Sequence, residues 1–138
     1  MKNMFKLSVG ILILAGTTAL SSCKKPAQEK PSGSPAELTA VRAAIQAYYG
    51  GNDGKYPASL DELVVEGKYL TELPKVKTPG HAASNAVKYV QAKTLAPENL
   101  DDAGGYAYYN SEKYPDTMGA LVLNCKHKDD KGIPEYSY

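Results

Sequence analysis

Cys125, His81, His127 and the acidic pairs Asp101-Asp102 and Asp129-Asp130 are groups with which this 138-residue chain could ligate a metal or attack a substrate. Their spacing argues against each use. His81 and His127 lie far apart in the chain and lack the second His or Cys, at helical or hairpin spacing, that marks a zinc site. His127-Lys128-Asp129-Asp130 mixes ligands with cations that repel a metal, and reads as a solvated loop. Asp101-Asp102 with Glu98 is an acidic loop that would hold calcium only weakly, since that ion takes about 6 to 8 oxygens. Paired carboxylates hydrolyse glycosidic bonds when one sits in an apolar setting, but Glu37 and Glu62 are accounted for by helix capping and Asp53 by a turn. No Gly-x-Ser-x-Gly elbow exists, and Gly104-Gly105 precedes a strand where a phosphate-cradling loop would follow one. The expectation is a protein that is not an enzyme and has no cofactor and no metal.

Cys125 itself falls on the face of Leu121 and Leu123 by strand alternation, where a cysteine acts as a small hydrophobe. Lys126 beside it would lower its pKa only if the thiol were exposed. Cys23 is different. Lys2 and Lys6 form a basic head, an apolar run of about 14 residues follows from Leu7 to Leu20, and Leu20-Ser21-Ser22-Cys23 closes it. That run is short of the roughly 20 residues a membrane-spanning helix needs. Small residues ahead of a cysteine resemble the lipobox read by lipoprotein signal peptidase, which cuts before a cysteine already carrying diacylglycerol. Acyl chains such as palmitate on Cys23 would anchor the chain, each buried methylene contributing about 0.8 kcal/mol. With Cys23 lipidated, Cys125 is the only free thiol, which excludes an internal disulfide, a CxxC pair and a cysteine-based zinc site.

These residues divide the chain into a leader at 1–22, a polar, Pro-bearing tether at 23–33 and one small head domain at 34–138. The leader removes Lys2 and Lys6 from 16 basic residues, so 14 basic side chains face 15 acidic ones. That neutrality argues against nucleic acid and against a polybasic membrane patch, and Lys24-Lys25 reads as solvated tether. Ser34-Pro35-Ala36-Glu37 is a capping box with proline at the first helical position, and Leu38, Val41, Ile45 and Tyr48 follow at helical spacing until Gly50-Gly51. Ser59-Leu60-Asp61-Glu62 is a second box, predicting a short helix over 60–66 that Gly67 stops. Strands are predicted over 87–92, 106–110 and 120–125, with a short edge strand at 136–138. A helix first and consecutive strands afterwards predicts an α+β fold in which the N-terminal helix packs on a small antiparallel sheet.

The segment Ile45-Gln46-Ala47-Tyr48-Tyr49, followed by Asn52-Asp53-Gly54-Lys55-Tyr56-Pro57-Ala58-Ser59-Leu60-Asp61-Glu62-Leu63, resembles the soluble head of type IV pilin-like proteins, in style that of type II secretion pseudopilins. Tyr69-Leu70, Leu73-Pro74, Gly104 to Asn110 and Gly119 to Asn124 continue the likeness, which covers about residues 38–124. The resemblance implies a pilin-like head and, as partners, components of a type II secretion or type IV pilus-like system. The lipobox and tether replace the long hydrophobic helix with which that family builds filaments, so filament assembly is not implied. Major pseudopilins hold calcium in a C-terminal loop; Asp129 and Asp130 lie in a comparable region without an alignable ligand set.

The mature chain has eleven tyrosines and neither Trp nor Phe. Tyr106, Tyr108, Tyr109 and Tyr114 are the expected contact surface for protein partners. The alternative use of surface tyrosines is to stack on envelope glycans, which burial of those rings would eliminate. Lys24, where an aspartate commonly retains lipoproteins at the inner membrane, favours the outer membrane in a two-membrane cell.

Overall fold

The computed structural model describes residues 35–138. The expected leader and tether, Cys23 and Ser34 of the first expected capping box lie outside the described residues. The head opens with α1 (Pro35–Gly51), proline at its start and Glu37 in its first turn, both suited to a helix N-terminus. Its apolar stripe buries Leu38, Val41, Ala44 and Ile45. Arg42 reaches across from the same helix. Its guanidinium donates to the Leu121 carbonyl from Nε at 3.0 Å and Nη2 at 2.7 Å, and to the Tyr138 carbonyl.

The second capping box forms as the sequence predicts. Ser59 Oγ accepts from Asp61 N–H, and Glu62 Oε1 accepts from Ser59 N–H at 3.1 Å. The other Glu62 oxygen accepts the Tyr48 hydroxyl, fastening the cap to α1. The predicted helix over 60–66 is instead two 3-10 turns, Leu60–Leu63 and Val65–Gly67, with Val64 at φ −101° between them and Glu66 left-handed at φ 55° inside the second.

Three strands form one sheet in the order β1 (Val87–Val90), β2 (Tyr106–Tyr109), β3 (Leu121–Leu123). The fold is α+β, and the sheet is mixed. β3 runs antiparallel to β2, but β1 runs parallel to it, with Val87 opposite Tyr106. The expectation of an antiparallel sheet is corrected by residues 91–105, which cross back to the start of β1 through a 3-10 turn at Pro97–Asn99. A connection of that length permits the parallel pairing that a hairpin cannot. The expected edge strand at 136–138 is also absent; Glu135–Ser137 is a 3-10 turn packed on β3.

Gly105 makes the parallel junction. It sits at φ 75°, and an added Cβ would run into the Ala86 carbonyl, which accepts Tyr106 N–H at 2.8 Å. Gly105→Ala is therefore expected to destabilise the head by about 3 kcal/mol or more. Chemical denaturation checks this, and a loss below about 1 kcal/mol would contradict the assigned backbone.

Both faces of β2 are covered. Tyr106 and Tyr108 point toward α1 and join Leu60, Leu63, Val76, Leu121 and Leu123, while Ala107 and Tyr109 pack with Val90, Leu100 and Val122. Tyr106, Tyr108 and Tyr109 are 0%, 0% and 1% exposed, so the expected contact surface is corrected: three of its four tyrosines are core, and Tyr114 is half-buried. The hydroxyls of Tyr106 and Tyr108 are tolerated inside because Tyr106 donates to the Pro74 carbonyl at 2.9 Å and Tyr108 to the Pro57 carbonyl at 2.8 Å. Burial pushes both phenols well above their usual pKa.

Candidate functional site

Three connections converge beside the sheet and bring together side chains that are remote in sequence. The first is the turn Thr78-Pro79-Gly80-His81. Proline at its second position and glycine at φ 77° at its third are the type II turn pattern, closed by His81 N–H to the Thr78 carbonyl at 3.2 Å. A bridge between Val76 and Ser84 holds the base of this loop. The second is the crossover before β2, where Asp102 takes a left-handed φ of 61°. The third is the chain leaving β3, with Cys125 and His127.

Asn124, only 2% exposed, joins the second connection to the third. Its backbone bonds Gly104 N–H and the Gly105 carbonyl, and its amide donates to Asp101 Oδ1 at 2.6 Å. That amide, with the Lys88 ammonium at 3.1 Å from Oδ2, holds the Asp101 carboxyl below the usual range and turns it away from the cluster. Asp102 faces in. Its Oδ1 accepts Lys126 N–H at 2.7 Å, the main cause of its lowered pKa, followed by the histidine contacts.

Around Asp102 Oδ1, His81 Nε2 stands at 3.3 Å and His127 Nδ1 at 3.5 Å. Cys125 Sγ lies 3.5 Å from the same His127 nitrogen. The two imidazoles meet edge-on with centroids 5.1 Å apart. One donor atom from each of the four side chains lies within 4.8 Å of the others. Cys125 is fully buried, His81 and Asp102 are partly so, and the His127 side chain is 48% exposed, so the cluster is closed on the sulfur side and open at one rim.

Nearby groups are arranged around these four. The Thr78 hydroxyl is buried and, among the described residues, meets no partner at hydrogen-bonding geometry; it lies beside the Cys125 sulfur, where its O–H favours the thiolate. Burial nevertheless dominates and pushes the Cys125 thiol up, with the charges of Asp102 and Glu135 adding to it. Glu135 is itself wholly buried, with both oxygens unpartnered among the described residues, and burial raises its carboxyl, helped by Asp129 and Asp130. Gly80 and Gly104 leave room for the rings: an added Cβ would stand 3.2 Å from the His127 imidazole and 3.0 Å from His81 Cβ.

The geometry discriminates between two chemistries. A Cys-His-Asp nucleophile relay uses opposite ring nitrogens, one toward the thiol and one toward the carboxylate. Here one nitrogen, His127 Nδ1, faces both, and the thiol is buried with a raised pKa, the reverse of an activated nucleophile. Four donors pointing at a common space are what a metal ion requires.

The sequence argument from distance between His81 and His127 is thus corrected by the fold. Cys125-x-His127 was the available signal: two residues apart at a strand end, they project to one side. Other expectations take different outcomes. Glu98 stays out of the cluster, and Asp129 serves its own turn, accepting Lys131 N–H at 2.9 Å, Ile133 N–H at 2.8 Å and the Tyr138 hydroxyl. Leu20, Ser21, Ser22 and Cys23 lie outside the described residues. A shallow open groove of 530 Å³ lies away from the cluster, lined by Asp61, Leu73, Asn85 and Tyr89 among others. Among the described residues, no helix is long and apolar enough to cross a membrane. No protein-family model, curated protein or solved structure matches the chain.

Proposed function

We propose that the chain is a lipid-anchored cell-envelope protein, without enzymatic activity, whose pilin-like head is an accessory of a type II secretion or type IV pilus-like system. The observation that carries this reading is Leu20-Ser21-Ser22-Cys23 behind a short apolar leader, followed by a tether and a head resembling that of pseudopilins. The acyl chains on Cys23 fix the protein at the membrane, and the tether gives the head reach. The α+β order of the described residues is compatible with a pilin-like head. Partner contacts fall outside β2, because its tyrosines are interior. In a two-membrane cell, Lys24 favours the outer membrane.

Two measurements test the proposal together. Cys23→Ser is expected to abolish palmitate labelling and to release the protein from the membrane fraction. A wild-type protein already found unlipidated and soluble would sink the anchor. Cross-linking of the tagged full-length chain in cells is expected to recover pilins, pseudopilins or secretin-complex proteins. Recovery of none of these would remove the secretion reading.

A further inference from the structure

We propose that His81, Asp102, Cys125 and His127 form a structural site for one divalent transition metal, for which zinc is the fitting ion. In a tetrahedral zinc site, bonds of about 2.0–2.3 Å place the donors about 3.3–3.8 Å apart. Three of the donor pairs already stand at 3.3, 3.5 and 3.5 Å, and all six fall within 4.8 Å. A small inward movement of side chains completes the shell.

The donor set selects the ion class. One sulfur, two imidazole nitrogens and one carboxylate oxygen suit zinc, whereas calcium and magnesium require mostly oxygens. Four protein donors leave no position for a substrate water, which makes the site structural instead of catalytic. The charges also balance: a thiolate and a carboxylate neutralise the dication. Binding breaks the Cys125 S–H bond, forms the S–Zn bond and releases that proton to solvent.

Independent features of the surroundings point to the same occupant. The Thr78 hydroxyl is 1% exposed and unpartnered among the described residues, and it is placed to donate to a metal-bound thiolate. Lys126 N–H already orients Asp102, the outer-shell bond that ligating carboxylates use. Gly80 and Gly104, at φ 77° and 79°, let the backbone pass against both imidazoles. The site does not rest on lipidation or on any secretion partner.

The test uses the full chain carrying Cys23→Ser, purified in detergent and stripped with chelator, so that Cys125 is its one thiol. Zinc alone is expected to bind with one equivalent per chain. Cobalt alone is expected to give tetrahedral visible absorption and a thiolate-to-cobalt charge-transfer band that disappears in Cys125→Ser. His127→Ala, at the exposed rim where the fold is least at risk, is expected to weaken zinc at least about a hundredfold. Folded protein that binds no stoichiometric zinc, a cobalt spectrum without the sulfur band, or unchanged affinity in His127→Ala would each overturn the site.

Discussion

Replacing Tyr108 by alanine is expected to lower the stability of the head by about 3–5 kcal/mol, the range for deleting a large buried aromatic. The ring is fully buried between α1 and β2, in the cluster of Leu60, Leu63 and Leu121, and meets Tyr89 edge-on with centroids 6.3 Å apart. Whole domains are stable by only about 5–15 kcal/mol, so a large part of the margin goes with this one side chain. Tyr108→Phe separates the ring from its hydroxyl. It keeps the packing and leaves the Pro57 carbonyl without its donor, which is expected to cost about 1 kcal/mol. Tyr114→Ala, where the ring is half-buried, is expected to cost less than either the alanine change at Tyr106 or that at Tyr108. Denaturation curves for the four variants decide the matter. Equal, small losses at Tyr108 and Tyr114 would return β2 to the surface and revive the contact-surface reading.

The tyrosines show where sequence patterning stops being informative. Tyr-Ala-Tyr-Tyr reads as an amphipathic strand because a phenol is half polar. In the structure α1 covers one face and Val90, Leu100 and Val122 cover the other, and carbonyls of Pro74 and Pro57 meet the hydroxyls of Tyr106 and Tyr108. Those acceptors lie far from β2 in sequence, and no local rule places them there. Elements governed by local forces were legible: α1 from its apolar spacing, the Ser59-Glu62 box from its side chains, and the three strands to within two residues of their ends. Strand direction was not, because alternation is the same for parallel and antiparallel pairs. The 60–66 helix closes only as 3-10 turns on either side of Val64, and nothing in the Glu66 side chain announces its left-handed φ. The cluster was half legible. Cys125-x-His127 and the Thr78-Pro79-Gly80-His81 turn are both visible in the sequence, but only the parallel crossover carries Asp102 to them.

Metal binding at that cluster is expected to raise the Tm of the full chain strongly, and to do so through His81 and Asp102 above all. An ion at 100 times its Kd that binds only the folded state stabilises by about 2.7 kcal/mol. For a domain near this size that corresponds to about 10–20 °C in Tm, reversible by chelator. The unfolded chain blunts the gain only as far as it binds too. Cys125 and His127, two residues apart, can hold zinc weakly in an unfolded segment, and that part of the affinity adds nothing to stability. His81 and Asp102 reach the ion only when the 78–81 turn and the crossover are in place, so their bonds exist in the folded state alone. Closing those long loops is where the entropy of the unfolded chain is spent. His81→Ala is therefore expected to keep weak zinc binding yet lose most of the Tm rise, whereas Cys125→Ser loses both. Thermal scans with zinc, and with chelator in its place, read the difference directly. A His81→Ala protein with an undiminished zinc-dependent rise would mean that the ion is held in the folded state without His81, and that the four-donor site does not form.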